Sequence, residues 1–139
     1  MIYVKIATII FMIISLAIQN LGANYVYATA GPNTFDCSGF TYYCYKEITG
    51  IELPRTAYDQ GYCEEYEKIE SIEELQPGDL VFFNTISDGD LSDHAGIYLG
   101  EENNKFIHAS SGKGEVVISE IHDNYYERRF SWGRRILSD

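Results

Sequence analysis

Five short runs of strand-forming residues crowd the second half of this chain, at residues 80–83, 94–99, 105–110, 116–121 and 132–137, with turn signals between them. A helix pattern precedes them. Cys37, Phe40, Cys44 and Ile48 recur three or four residues apart, Asp36 stands where a helix is capped and Gly50 where one stops. The spacing predicts a helix over 37–48. Helix first and consecutive strands after argue an α+β fold, with the helix packed on an antiparallel sheet of about five strands. At 139 residues the chain has room for one domain.

Apolar residues at 45% and charged residues at 22% supply a core and exclude a disordered or low-complexity chain. A net charge of −11 would repel a phosphate backbone, so nucleic acid is excluded as a partner class. The charge is local: residues 47–93 hold 13 acids against Arg55 and Lys68, and this stretch reads as a solvated acidic face.

Residues 6–18 are apolar with only a threonine and a serine among them, behind Lys5. Thirteen residues fall short of the ~20 that a membrane span needs. The length suits the apolar region of a secretory signal, with Ala28-Thr29-Ala30 as a small-x-small cleavage site. The same residues suit an amphipathic helix that ends near Gly22 and belongs to the fold. The expected division is an apolar segment over 1–12, a signal or an anchor touching the membrane, and a domain over 13–139.

Three cysteines leave at least one unpaired, and Cys37 lies where a Gly/Pro-containing loop enters the helix. Helix-end N–H groups and the positive end of the helix dipole favour a thiolate there. Cys44, two turns on, reads as a small buried residue; a Cys44–Cys63 disulfide is the alternative in an oxidising compartment. A thiol nucleophile needs a base. If 94–99 and 105–110 form a hairpin about 100–104, His94 lies opposite or diagonal to His108, ~5 to 8 Å apart at Cβ.

The even-numbered residues of these strands, His94, Gly96, Tyr98, Phe106, His108 and Ser110, then share one face, while Ala95, Ile97, Leu99, Ile107 and Ala109 face the other way. Two imidazoles side by side allow one to act as base and the other to fix its tautomer. Zinc is the competing use of Cys37, His94 and His108, but no close ligand pair such as C-x-x-C accompanies them. His122 reads as a turn residue.

The segments 31–40 around Asp36-Cys37-Ser38-Gly39-Phe40, 93–100 beginning Asp93-His94-Ala95-Gly96, and Phe106-Ile107-His108-Ala109-Ser110 resemble the three signature blocks of the NlpC-type cell-wall endopeptidases, a papain-like family. Leu53-Pro54-Arg55-Thr56-Ala57 and 75–83 match its connecting pattern. The resemblance covers about residues 13–137. It implies a cysteine peptidase without metal or organic cofactor, secreted or held at a bacterial wall or membrane. The implied substrate is the stem peptide of peptidoglycan, cut between the γ-carboxyl of D-glutamate and the following diamino acid.

The resemblance further implies Cys37 as nucleophile, His94 as base and His108 as third member. Asp36 and Ser38 would lie where a substrate amine binds, and Arg55 and Thr56 along the cleft. Capping and structural hydrogen bonding are the plainer roles for these four. Tyr25 falls twelve residues before Cys37, where the family has a tyrosine near the oxyanion site. The family's Gly-Gly after that tyrosine is replaced by Ala28-Thr29, and cleavage at Ala30 would remove Tyr25. An inactive wall-binding relative and a thiol acyltransferase or amidase on the same fold are the alternatives.

Overall fold

The computed structural model describes residues 5–86, 89–100, 102 and 104–138. Residues 1–4 of the N-terminal segment, and residues 101 and 103 of the expected hairpin loop, lie outside the described residues. The chain starts with helix α1 (Ile6–Gln19), whose Ile13 and Ala17, one turn apart, are fully buried. The helix runs without a break across the expected boundary between residues 12 and 13. Among the described residues no helix is long and apolar enough to cross a membrane.

Two short strands follow, β1 (Asn24–Tyr25) and β2 (Thr34–Phe35), paired in parallel with Tyr25 beside Phe35. Helix α2 (Cys37–Thr49) begins as the sequence predicts: the Asp36 side chain accepts from the Gly39 N–H at 2.7 Å. It ends at Gly50, in the left-handed conformation at φ +79°. Then come α3 (Ala57–Gly61), β3 (Glu67–Ile69), β4 (Leu80–Phe83), β5 (His94–Gly100), β6 (Lys105–Ser110), β7 (Glu115–Glu120), the single turn α4 (Asn124–Glu127) and β8 (Phe130–Arg135).

All strands join one sheet in the order β2-β1-β7-β6-β5-β4-β8-β3, antiparallel except for the β1–β2 pair. The α+β class holds, and the sheet has eight strands where about five are expected. The extra three are β1, β2 and β3, two or three residues long. Such pieces are too short to show a period of two, and their pairing comes from neighbours distant in sequence.

The alternation read from β5 and β6 separates two cores. Ala95, Ile97, Ile107 and Ala109 pack with Ile13, Phe35, Phe40 and Cys44 from the helices. Tyr98 and Phe106 join Val81, Phe83 and Ile121 on the opposite face. Burying both faces of the central strands makes them rigid supports for whatever their ends carry. Cys37, Cys44 and Cys63 are all free thiols.

Candidate active site

The start of α2 is pinned from two sides. The Asp36 N–H donates to the Thr29 carbonyl at 2.8 Å, and the Ala28 N–H donates to Asp36 Oδ2 at 2.9 Å. Ala28 reaches that position with φ +66°, a conformation glycine adopts freely and alanine only under strain. At the Ala28-Thr29 departure the loop therefore holds a Cβ in a left-handed conformation.

Arg55 then clamps Asp36 with two bonds, Nη1 to Oδ1 at 3.0 Å and Nη2 to Oδ2 at 2.9 Å, and Nη1 also reaches Ser38 Oγ at 3.1 Å. Asp36, Ser38 and Arg55 therefore form one hydrogen-bonded cluster beside Cys37, and the capping and structural roles weighed for them are present. Thr56 is exposed and caps α3, its hydroxyl accepting from the Asp59 N–H at 3.0 Å. Replacing Arg55 with methionine is expected to cost about 1–2 kcal/mol in a urea titration, less than for a fully buried pair because its side chain is 39% exposed.

Gln60 was not signalled by any motif, yet it is fully buried and ties α2 to α3. It accepts from Thr41 Oγ1 at 2.7 Å and donates from Nε2 to the carbonyls of Ser38 at 3.1 Å and Pro54 at 2.8 Å. Nothing in its sequence surroundings marks such a residue, since all three partners are set by tertiary packing.

The Cys37 thiol lies against the Ala95 backbone, one residue beyond His94, and the Asp36 carboxylate beside it adds to the cost of ionising the thiol; burial, with Cys37 close by, raises Tyr25 in turn. Burial pushes the Cys37 thiol up to about 11, only partly offset by N–H groups of Ala95, Ser38 and Cys37 itself. The thiolate expected from the helix end is thus not the resting form, because desolvation outweighs the few N–H dipoles. Burial likewise lowers His94 to about 4 and holds His108 well below the ordinary imidazole value. Burial thus favours the uncharged forms of all three groups, the thiol and the two neutral imidazoles.

In β5 and β6, Tyr98 faces Phe106 and Ile97 faces Ile107, which sets His94 diagonal to His108. Gly96 falls opposite His108 in this register, and a Cβ there would come within 3.1 Å of His108 Cβ and 2.9 Å of the Phe106 ring. With that space kept open, His94 Nε2 meets His108 Nδ1 at 2.7 Å, the rings nearly perpendicular. Phe106 stacks on His108 at 4.4 Å between centroids. His122 lies apart, bonded to Glu127 on α4.

His94 also lines a groove of about 380 Å³ with Thr85, Ser110, Ser111, Lys113 and Tyr126 among its walls. Among the described residues no group of three or more His, Cys, Asp or Glu side chains could hold a metal ion. The arrangement can remove a proton at His94 Nδ1, since Nε2 is committed to His108.

The NlpC/P60 family model matches residues 22–135. The murein DD-endopeptidase MepH of Escherichia coli (strain K12) is 38% identical over 121 residues, 86% of this chain and 43% of that protein. The murein DD-endopeptidase MepS/murein LD-carboxypeptidase of the same strain is 40% identical over 117 residues, 84% of this chain and 57% of that protein. The chain thus spans about half the length of these two relatives.

Among solved structures, NlpC2 from Trichomonas vaginalis superposes with a TM-score of 0.79 at 32% identity, covering 91% of this chain and 46% of that one. An NlpC/P60 family protein from Bacillus cereus ATCC 10987 gives 0.80 at 29% identity, covering 93% and 40%. The match of the family model across most of the chain, with relatives near 40% identical over the same span, shows that the chain belongs to the NlpC/P60 family.

Proposed function

We propose that this chain is a cysteine endopeptidase that hydrolyses the stem peptide of bacterial peptidoglycan, with residues 13–139 as the peptidase domain, acting outside the cytoplasm at the cell wall. The observation that carries this reading is the 2.7 Å contact between His94 Nε2 and His108 Nδ1, one residue from the backbone that the Cys37 thiol abuts. It commits one nitrogen of the base and leaves the other for the nucleophile.

Cys37 gives its proton to His94 Nδ1 as Sγ attacks the amide carbonyl, and His108 holds the imidazolium that forms. The Cys37 N–H and Tyr25 meet the developing oxyanion. His94 returns the proton to the departing amine, and water then hydrolyses the acyl-enzyme, the step that separates hydrolysis from acyl transfer. Asp36, Ser38, Arg55 and Thr56 shape the adjoining cleft, Asp36 chiefly through its ion pair with Arg55.

The bond cut is proposed to be the γ-D-glutamyl to diamino acid amide. A second reading, cleavage at a D,D or L,D bond, is favoured by the names of the two relatives described above. Incubation with defined muropeptides followed by mass spectrometry decides between them, because each bond yields a fragment of different mass. Intact muropeptides after prolonged incubation would remove both readings in favour of a wall-binding protein.

A base that is neutral down to about pH 4 predicts an unusual profile. The folded His94 value lies below that of free imidazole, so protonation, and loss of the base, comes only as pH falls toward about 4. At the other end, Cys37 keeps its proton up to about pH 11. The expected kcat/KM is flat through neutrality, with its acid limb near 4; an acid limb near the free-imidazole value would contradict the buried, neutral pair.

A further inference from the structure

The hydrogen-bond chain does not end at His108. On the far side of its ring, His108 Nε2 meets Ser119 Oγ at 2.9 Å. In the β6–β7 register His108 faces Val117, so Ser119, two residues on, shares its face. Tyr126, the third residue of α4, has its phenol on the Ser119 side of this pair and lines the same groove as His94. The Tyr126 ring also packs edge-on against His108, with 5.6 Å between centroids.

The direction of these bonds is constrained by the chemistry at their start, and this step rests on the reading of Cys37 and His94 given above. To accept a proton at Nδ1, neutral His94 must carry its own on Nε2, and it therefore donates to His108 Nδ1. Neutral His108 must then carry its proton on Nε2 and donate to Ser119, whose own hydroxyl proton is left to turn toward the neighbouring Tyr126 phenol or water. Every donor points away from Cys37. The opposite polarity would put a proton on His94 Nδ1 and block the base.

We propose that Ser119 is a positioning residue for catalysis, fixing His108 as the Nε2–H tautomer and, through it, His94 as the tautomer able to take the Cys37 proton, with Tyr126 closing the chain at the groove wall. A serine hydroxyl can donate or accept, so the polarity is set where the chain starts, at His94; residue 119 is needed as the acceptor that satisfies the buried His108 Nε2–H in the productive tautomer. No proton travels along the chain; the single proton moved in the reaction goes from Cys37 Sγ to His94 Nδ1 and back.

The test uses Ser119→Ala with Ser119→Thr as the conservative rescue, assayed on stem peptides and by 15N NMR of the imidazoles. In S119A, His108 and His94 are expected to populate their Nδ1–H tautomers, with kcat reduced about 10²-fold and KM within about twofold. S119T should restore both the tautomers and kcat. Tyr126→Phe keeps the ring against His108 and should lower kcat only about threefold, because water can take the serine's proton. Should S119A not fold, Ser119→Cys, close in size and a weak acceptor, serves the same comparison.

Unchanged tautomers and kcat in S119A, or equal losses in S119A and S119T, would overturn the role of Ser119. If the native chain turns over no stem peptide at all, the peptidase reading fails instead. The NMR comparison still decides whether Ser119 holds the pair in the productive tautomer.

Discussion

Replacing Cys37 with alanine is expected to lower stem-peptide cleavage by about 10⁵-fold while leaving the fold intact. The first half follows from the proposed role of Cys37 as nucleophile, and the second from where the residue sits. Cys37 is the first residue of α2, partly accessible, and the helix start is secured by Asp36 and Arg55 rather than by the thiol. Alanine is the best helix former, so thermal stability should hold. No other sulfur can substitute: Cys44 is wholly buried with its thiol pushed far up by desolvation, and Cys63 follows α3 rather than standing at the α2 start.

Cys37→Ser tests the same point chemically, since on the proposed mechanism a hydroxyl would have to give its proton to an imidazole whose basicity burial has lowered, and it should remain nearly as inactive. Fragments are quantified by chromatography and mass spectrometry. Release by C37A within tenfold of the native rate would place the nucleophile elsewhere. Trapping a thioester on native Cys37 at short times would support the covalent step directly.

Much of this site is legible in the sequence because two short periodicities carry it. Strand parity places His94 and His108 on one face, and the 2.7 Å contact follows from that diagonal. The helix limits come from Asp36 and Gly50, whose roles are local to the backbone. The same parity, extended across one more hairpin, would have added Ser119, since the turn between Ser110 and Glu115 sets the β6–β7 register as surely as residues 100–104 set the one before it.

The ionisation of the site is a different matter. A helix N-terminus argues for a thiolate, but the proton balance is decided by desolvation, which comes from residues packed in from remote parts of the chain. Gln60 and strands β1 to β3 were hidden for the same reason. The Arg55–Asp36 pair lies between these cases: the family resemblance marks both residues, while only the structure shows them joined to each other.

Gly39→Ala should be the most damaging single methyl in the chain. A Cβ built on Gly39 would stand 2.1 Å from the Thr29 carbonyl oxygen, 2.8 Å from Asp36 Oδ1 and 3.0 Å from Ala30 Cα. Two of those atoms are backbone, so no side-chain rotation relieves the clash. The Thr29 carbonyl is the acceptor for the Asp36 N–H, and Asp36 Oδ1 is the acceptor for Gly39's own N–H and for Arg55. The methyl therefore forces apart the contacts that hold the residue before Cys37.

The expected cost is about 3 kcal/mol of stability, at the upper end for overpacking. A shift of about 1 Å in the nucleophile should also lower kcat/KM about 10²-fold, even at temperatures where the variant is fully folded. Gly50→Ala separates the two effects. It lies at the other end of α2 with open space around it and φ +79°, so it should lose about 1 kcal/mol to backbone strain alone. Its turnover per folded molecule should stay at the native level. Equal kcat/KM in the folded forms of G39A and G50A would show that the loop at 28–30 can yield without moving Cys37, and that the pinning of the α2 start does not position the nucleophile.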